Sequence, residues 1–242
     1  MKYYFITGTS KGLGYEIATQ LLEEEDCKVT GISRSNTINH PNYKHLSIDL
    51  SDIDKLMDSF DLIFPKITDG DKIVLINNAG VLGQVGHVGN IPNKKILEAF
   101  NVNTVAPAIL MNEFIKRYIH CSSCQKIIIN VSSGAGKKPV DGWSCYCSSK
   151  AALDMFSSVV AVEKRMDKNN IRIFSVSPGI VDTAMQDEIR KVSKEDFSRL
   201  SEFIEYKKEG MLISPQKVAK KYLHLLKNQE KFDEVIVSVR DF

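Results

Sequence analysis

The sequence predicts a doubly wound α/β fold: a mostly parallel, seven-stranded sheet with helices on both faces, in a single domain. Three observations carry this. Short apolar runs alternate with longer amphipathic stretches, the pattern of parallel strands joined by helical crossovers. The glycine-rich turn Thr7-Gly8-Thr9-Ser10-Lys11-Gly12-Leu13-Gly14 falls between the first apolar run and the first amphipathic stretch. A length of 242 residues, 43% hydrophobic and 26% charged, suits one sizeable core.

Strands are expected at 3–7, 27–32, 44–48, 72–76, 125–131, 171–177 and 234–239. Helices are expected at 12–25, 51–63, 93–118, 146–167, 185–191, 195–208 and 214–227. Seven such strands with right-handed crossovers give a sheet of Rossmann type. Pro107 lies inside the third helical stretch, where its missing N–H should interrupt or bend the helix. Ser214-Pro215 reads as a helix start, with Ser as cap and Pro in the first turn. The stretch 183–213 is expected to be a helical excursion that covers a substrate, too short to be a separate domain.

A formal net charge of +2, with scattered Lys and Arg, points to no nucleic-acid and no membrane partner. No apolar run approaches the roughly 18 residues of a membrane span. Met1–Ile6 leads straight into the glycine turn, so a cytoplasmic protein without signal peptide is expected. The five cysteines (27, 121, 124, 145 and 147) then read as thiols. Cys121 and Cys124 lack a second ligand pair for zinc, and no metal is expected.

The glycine turn has the chemistry of a phosphate cradle. Gly8 permits the tight turn, Gly12 lets backbone approach a pyrophosphate, and Gly14 lets helix and strand pack closely, while the helix N-terminus attracts phosphates. Ser10, Lys11 and Leu13 complete it. At the end of the second strand, where an NAD site usually places an acid, the chain has Ser33-Arg34-Ser35. Arg34 and Lys11 suit the 2′-phosphate of NADP(H). Asp49 and Leu50 are placed to meet the adenine. Asn78, Ala79 and Gly80 follow the fourth strand at the sheet's carboxyl edge, lining the cofactor or shaping a turn.

Tyr146 and Lys150 are four residues apart and share one helix face. An ammonium beside a phenol favours the phenolate and is expected to bring the Tyr pKa down toward working pH. Such a Tyr exchanges a proton with a carbonyl or alcohol oxygen. Ser133, at a strand end, would hydrogen-bond the same oxygen. Trp143 and Met185, with Phe197, Phe203, Tyr206, Met211 and Leu212 of the excursion, offer apolar walls for a flat ketone or diketone.

In order along the chain, TGTSKGLG, NNAG, the Asn103 segment NVNTVAP, SSG followed by YCSSK, and Pro178-Gly179-Ile180-Val181-Asp182-Thr183 resemble the short-chain dehydrogenase/reductase family over nearly the whole chain. Within it, SGAGKKP with Gly142-Trp143, and VDTAMQ, are most similar to the sepiapterin and bacterial benzil reductase groups. The resemblance implies that Tyr146 is the acid/base, that Lys150 also binds the nicotinamide ribose, and that Ser133 polarises the carbonyl. It implies that Asn103 holds a water in a proton relay from Lys150. Pro178, Gly179, Ile180, Val181 and Thr183 would surround the nicotinamide. It also implies a homodimer built on the third and fourth long helices. The expected activity is NADPH-dependent reduction of a small, aromatic ketone or diketone. A pterin reductase, with Asp241 as anchor, and a catalytically silent NADP-binding regulator are the alternatives.

Overall fold

The computed structural model describes all residues except 68, 69, 71, 168 and 169. Its strands are β1 (Lys2–Thr7), β2 (Cys27–Ser33), β3 (Tyr43–Ser47), β4 (Lys72–Asn77), β5 (Gln125–Val131), β6 (Ile171–Ser177) and β7 (Ile236–Ser238). They pair in the order β3-β2-β1-β4-β5-β6-β7, and every pair is parallel. The chain leaves β1 in one direction toward β3, then returns to build β4 to β7 in the other. The carboxyl ends of β1 and β4 therefore diverge, which opens a crevice at the switch point.

Strand alternation sorts the core into two layers. Tyr4, Ile6, Val74 and Ile129 point to one face. There they meet Ile17 and Leu21 of α1 (Gly12–Leu22) and Tyr222 and Leu225 of α9 (Pro215–Lys227). Phe5, Ile73, Leu75 and Ile128 point to the other. They meet Leu110 and Phe114 of α5 (Ala106–Tyr118) and Leu153 of α6 (Ser144–Met166). Each fully buried aliphatic side chain contributes about 1.5–3 kcal/mol. Both faces are apolar, which is why the strands read as continuous hydrophobic runs.

Several elements differ from expectation. The stretch 51–63 divides into α2 (Ile53–Asp58) and α3 (Phe60–Ile63), because the Ser59 hydroxyl bonds back to the Lys55 carbonyl and ends the first piece. The long third helix is α4 (Asn93–Phe100), a π-helical turn over Asn101–Val105, then α5. Pro107 has no N–H to donate to the Asn103 carbonyl four residues back. The turn widens instead, and the Ala106 N–H reaches the Asn101 carbonyl. Helix 185–191 ends two residues early, as α7 (Ala184–Ile189). Helix 195–208 shortens to α8 (Leu200–Lys208): the Ser193 hydroxyl and Asp196 carboxylate bond each other, and Asp141 captures Ser198, so the segment before α8 is a loop. β7 is shorter than 234–239 because Asp241 turns back on the Ser238 N–H. Cys121 and Cys124 are joined as a disulfide in the turn after α5, their Cα atoms 5.5 Å apart, whereas Cys27, Cys145 and Cys147 are free thiols. That corrects the reading of all five as thiols: a tight turn at this spacing brings the first pair within bridging reach.

Candidate active site

A cavity of about 950 Å³ runs along the carboxyl edge of the sheet. At its floor, β5 delivers Ser133 just past its end, and α6 delivers Tyr146 in its first turn and Lys150 one turn later. Lys150 is almost fully buried, and its ammonium donates to the Val131 carbonyl at 2.8 Å. Its Nζ lies 5.9 Å from the centre of the Tyr146 ring. Ser133 Oγ accepts from the Ala135 N–H at 3.1 Å and acts to lower the Tyr146 phenol.

The electrostatics differ from the sequence-based expectation. Burial holds the Tyr146 phenol above its ordinary value, and the downward influence comes from Ser133. Burial pushes Lys150 down to about 8, with Asp154 acting against it. Desolvation of the phenol sets the direction, and the ammonium 5.9 Å from the ring centre does not reverse it.

Asn103 does not line the cavity. It is fully buried in the π-helical turn, where its amide clamps the Val81 backbone by two bonds of 2.8 and 2.9 Å and donates to Ser149 Oγ at 3.1 Å. Gly80 lies between Asn103 and Lys150: a Cβ there would stand 3.4 Å from both Asn103 Oδ1 and Lys150 Nζ.

At the nucleotide end, Gly8 (φ +74°) and Gly12 (φ +62°) take left-handed conformations that favour glycine. Gly14 is packed beneath the turn rather than facing the cavity: a Cβ there would come 2.3 Å from both the Gly8 carbonyl and Asn78 Nδ2. Asn78 shapes the turn. Its amide donates to the carbonyls of Thr7 and Gly8, and the Asn78 and Ala79 N–H groups donate to Thr7 Oγ1. α1 starts with no side-chain cap and no acid in its first turn, so its N–H groups face the cavity open to an anion. Ser10, Lys11, Leu13, Arg34, Asp49, Leu50, Ala79 and Gly80 all line this end. Ser51 holds the Asp49 carboxyl below its usual range by two bonds of 2.8 and 2.9 Å. Pro178, Gly179, Val181 and Thr183 line the middle.

The far wall comes from Trp143, Met185, Phe203 and Tyr206. Trp143 stacks on Phe197 (centroids 5.1 Å apart) and meets Tyr146 edge-on at 5.7 Å. Phe197 is fully buried behind Trp143, and Met211 is exposed, so neither is part of the wall. Gly142 (φ +72°) allows the loop before Trp143 to touch the backbone of Asp196. Asp141 bonds Ser198 N and Oγ, fastening the excursion to the start of α6. Sequence reasoning missed Ser132 and Ser177, buried hydroxyls at the ends of β5 and β6 that have no protein partner among the described residues. Their strand-end positions were the available signal. It also missed Arg240, which lines the cavity beside Gly179. Its neighbour Asp241 is turned onto Ser238 instead.

A site of this geometry can seat a dinucleotide along the sheet edge and present a hydroxyl pair to a polar atom at its inner end. Residues 2–194 match the family model described as short chain dehydrogenase. A benzil reductase ((S)-benzoin forming) of Bacillus cereus is 40% identical over 246 residues, covering 95% of this chain and 96% of the relative. A sepiapterin reductase of Xenopus tropicalis is 33% identical over 157 residues, 64% of this chain and 58% of the relative. The structure of a 4-hydroxyisoleucine dehydrogenase complexed with NADH superposes with a TM-score of 0.73 at 26% identity, covering 98% of this chain and 96% of that one. The chain belongs to the short chain dehydrogenase family.

Proposed function

We propose that this short chain dehydrogenase is an NADPH-dependent carbonyl reductase acting on an aromatic ketone or diketone. The observation that carries the reading is the convergence of Ser133, Tyr146 and Lys150 at the inner end of a cavity whose outer end is a glycine turn. The benzil reductase likeness over nearly the whole chain supports the substrate class. The residues fit a nicotinamide dinucleotide: the uncapped α1 N-terminus and Gly12 would hold the pyrophosphate, and Thr183 and Val181 the nicotinamide. Lys11 and Arg34, with Ser33 rather than an acid at the end of β2, favour NADP over NAD. When bound, the cofactor supplies the hydride.

The protein's own part is proton and charge management. The Tyr146 hydroxyl and Ser133 Oγ donate to the substrate oxygen as negative charge grows on it, and Tyr146 transfers its proton. A phenol kept protonated by burial suits the acid role in reduction. The Lys150 ammonium would hold the cofactor's ribose hydroxyls and steady the phenolate left behind. Asn103, clamped to Val81, fixes the wall behind Lys150. Trp143 and Phe203 would face the aryl group. With Asp241 engaged by Ser238, the pterin reading loses its anchor, which favours the ketone.

We place the protein in the cytoplasm as a homodimer. The exposed apolar stripe Met155, Val159, Val162 and Met166 on α6 would meet its copy. The deciding assay is NADPH oxidation at 340 nm with benzil, against sepiapterin and an oxoacyl thioester. Turnover with benzil alone supports the reading, and none with any carbonyl compound overturns it.

A further inference from the structure

We propose that Asp154 is a positioning residue of this site: its carboxylate, buried one helical turn beyond Lys150, is the counter-charge that keeps the Lys150 ammonium protonated. The inference deepens the reductase reading and rests on it for its catalytic meaning. Tyr146, Lys150 and Asp154 stand at i, i+4 and i+8 on α6 and form a column along one face. Lys150 and Asp154 are 3% and 6% exposed, and Lys150 reaches solvent only through the cavity it lines. A buried charge without an opposite partner is costly enough to neutralise instead. Neither has another counter-ion among the described residues. Lys150 has only the Val131 carbonyl, and Asp154 has the Ser175 hydroxyl at 2.6 Å. Each is therefore the opposite charge the other has on α6, one helical turn away and acting across space rather than by direct contact.

The surroundings hold this arrangement in place. Ser175 on β6 fixes one carboxylate oxygen. Gly136 passes close over the column: a Cβ there would come 3.0 Å from the Lys150 and Ala151 backbone and 3.3 Å from Asp154 Oδ2. The titratable groups facing Lys150 are Tyr146 and Asp154 on its own helix. β5 offers the Val131 carbonyl, the π-helical turn offers Asn103, and the segment after β4 offers Gly80, none of which titrates. From α9, Tyr222 stands near Tyr146, and burial together with that neighbour raises the Tyr222 phenol. The direction of the Asp154 effect on Lys150 is upward, against burial.

The test is the Lys150 titration itself, read by NMR on full-length protein labelled at lysine 13Cε, with and without NADP⁺, the signal assigned by its loss in Lys150→Arg. Asp154→Asn should lower the midpoint by about one pH unit or more, the size of effect an opposite charge exerts at close range. Asp154→Glu should restore it. The alkaline limb of kcat/KM should move to lower pH in parallel, which a merely structural residue would not cause. If Asp154→Asn does not fold, Asp154→Leu with Ser175→Ala removes the charge and its partner together and should give the same shift. An unmoved midpoint in an active enzyme overturns the proposal. A moved midpoint in a protein that reduces no ketone upholds the Asp154 role and removes the reductase reading.

Discussion

Replacing Arg34 by Ala should separate the two dinucleotides if the proposed NADPH preference holds. Arg34 and Lys11 both line the nucleotide end of the cavity, and β2 ends on Ser33 with no acid to hold a ribose 2′-hydroxyl. A full charge at roughly 4 Å, at an effective dielectric near 20, is worth about 4 kcal/mol before desolvation. A charged hydrogen bond nets about 1.5–3 kcal/mol. Arg34 is exposed, so solvent screening puts the expectation at the low end. At about 1.4 kcal/mol per factor of ten, the KM for NADPH should rise roughly 10- to 50-fold. The KM for NADH, which has no 2′-phosphate, should change less than about three-fold on the same scale. Adding Lys11→Ala should deepen the effect on NADPH alone. Raising salt from 0.05 to about 0.5 M should weaken wild-type NADPH binding more than NADH binding, because the Debye length shrinks to a few ångströms. Initial rates at 340 nm with both cofactors suffice. An equal rise for NADPH and NADH in Arg34→Ala would show that the guanidinium does not read the phosphate.

Other substitutions probe the remaining parts. Tyr146→Phe should lower kcat by about 10²-fold or more while the NADPH Kd from fluorescence titration stays within two- to three-fold, and near-normal turnover would remove Tyr146 from the mechanism. Gly14→Ala drives a methyl into the Gly8 carbonyl and Asn78, so thermal unfolding should show a loss of about 1–3 kcal/mol together with weakened cofactor binding. Lys150 is held at about 8 in the folded protein against about 10.4 unfolded, so the folded state binds fewer protons between these values and stability rises with pH there. Measured against Lys150→Met, wild-type unfolding free energy should gain up to about 3 kcal/mol between pH 8 and 10, and a flat difference would mean that Lys150 is not desolvated. Val159→Asp on the exposed α6 stripe should shift the sedimenting species from dimer to monomer with the fold intact by circular dichroism.

Much of this was legible in the residues because strand periodicity and glycine turns are local signals. The seven strands and the crevice follow from apolar runs such as 73–76 and 127–129, which need burial on both faces. A Tyr and Lys four apart are common, so YCSSK and SSG became legible only with the glycine turn, NNAG and the Asn103 segment in order before them. What was not legible depended on contacts distant in sequence. Asp141 captures Ser198 from 57 residues away and ends a helix that propensity alone would extend. Asn103 faces into its own wall because Val81 offers both a donor and an acceptor. The sign of the Tyr146 shift could not be read from a four-residue spacing, since it is set by how much water the aromatic wall excludes. Arg240 reached the cavity, and Asp241 did not, through a turn in which Ser238 bonds both residues.

Asn78 ties the end of β4 to the turn after β1 by contacts that span some seventy residues of sequence. Because those contacts run through Thr7, Gly8 and Ala79, two segments far apart in the chain open and close as one cooperative unit, and amide exchange in both should slow together. Lys11 and Arg34 stand outside that joint. On the proposed reading, changes at Lys11 and Arg34 should alter coenzyme preference while the phosphate seat keeps its shape. A change at Asn78 itself would loosen both segments at once.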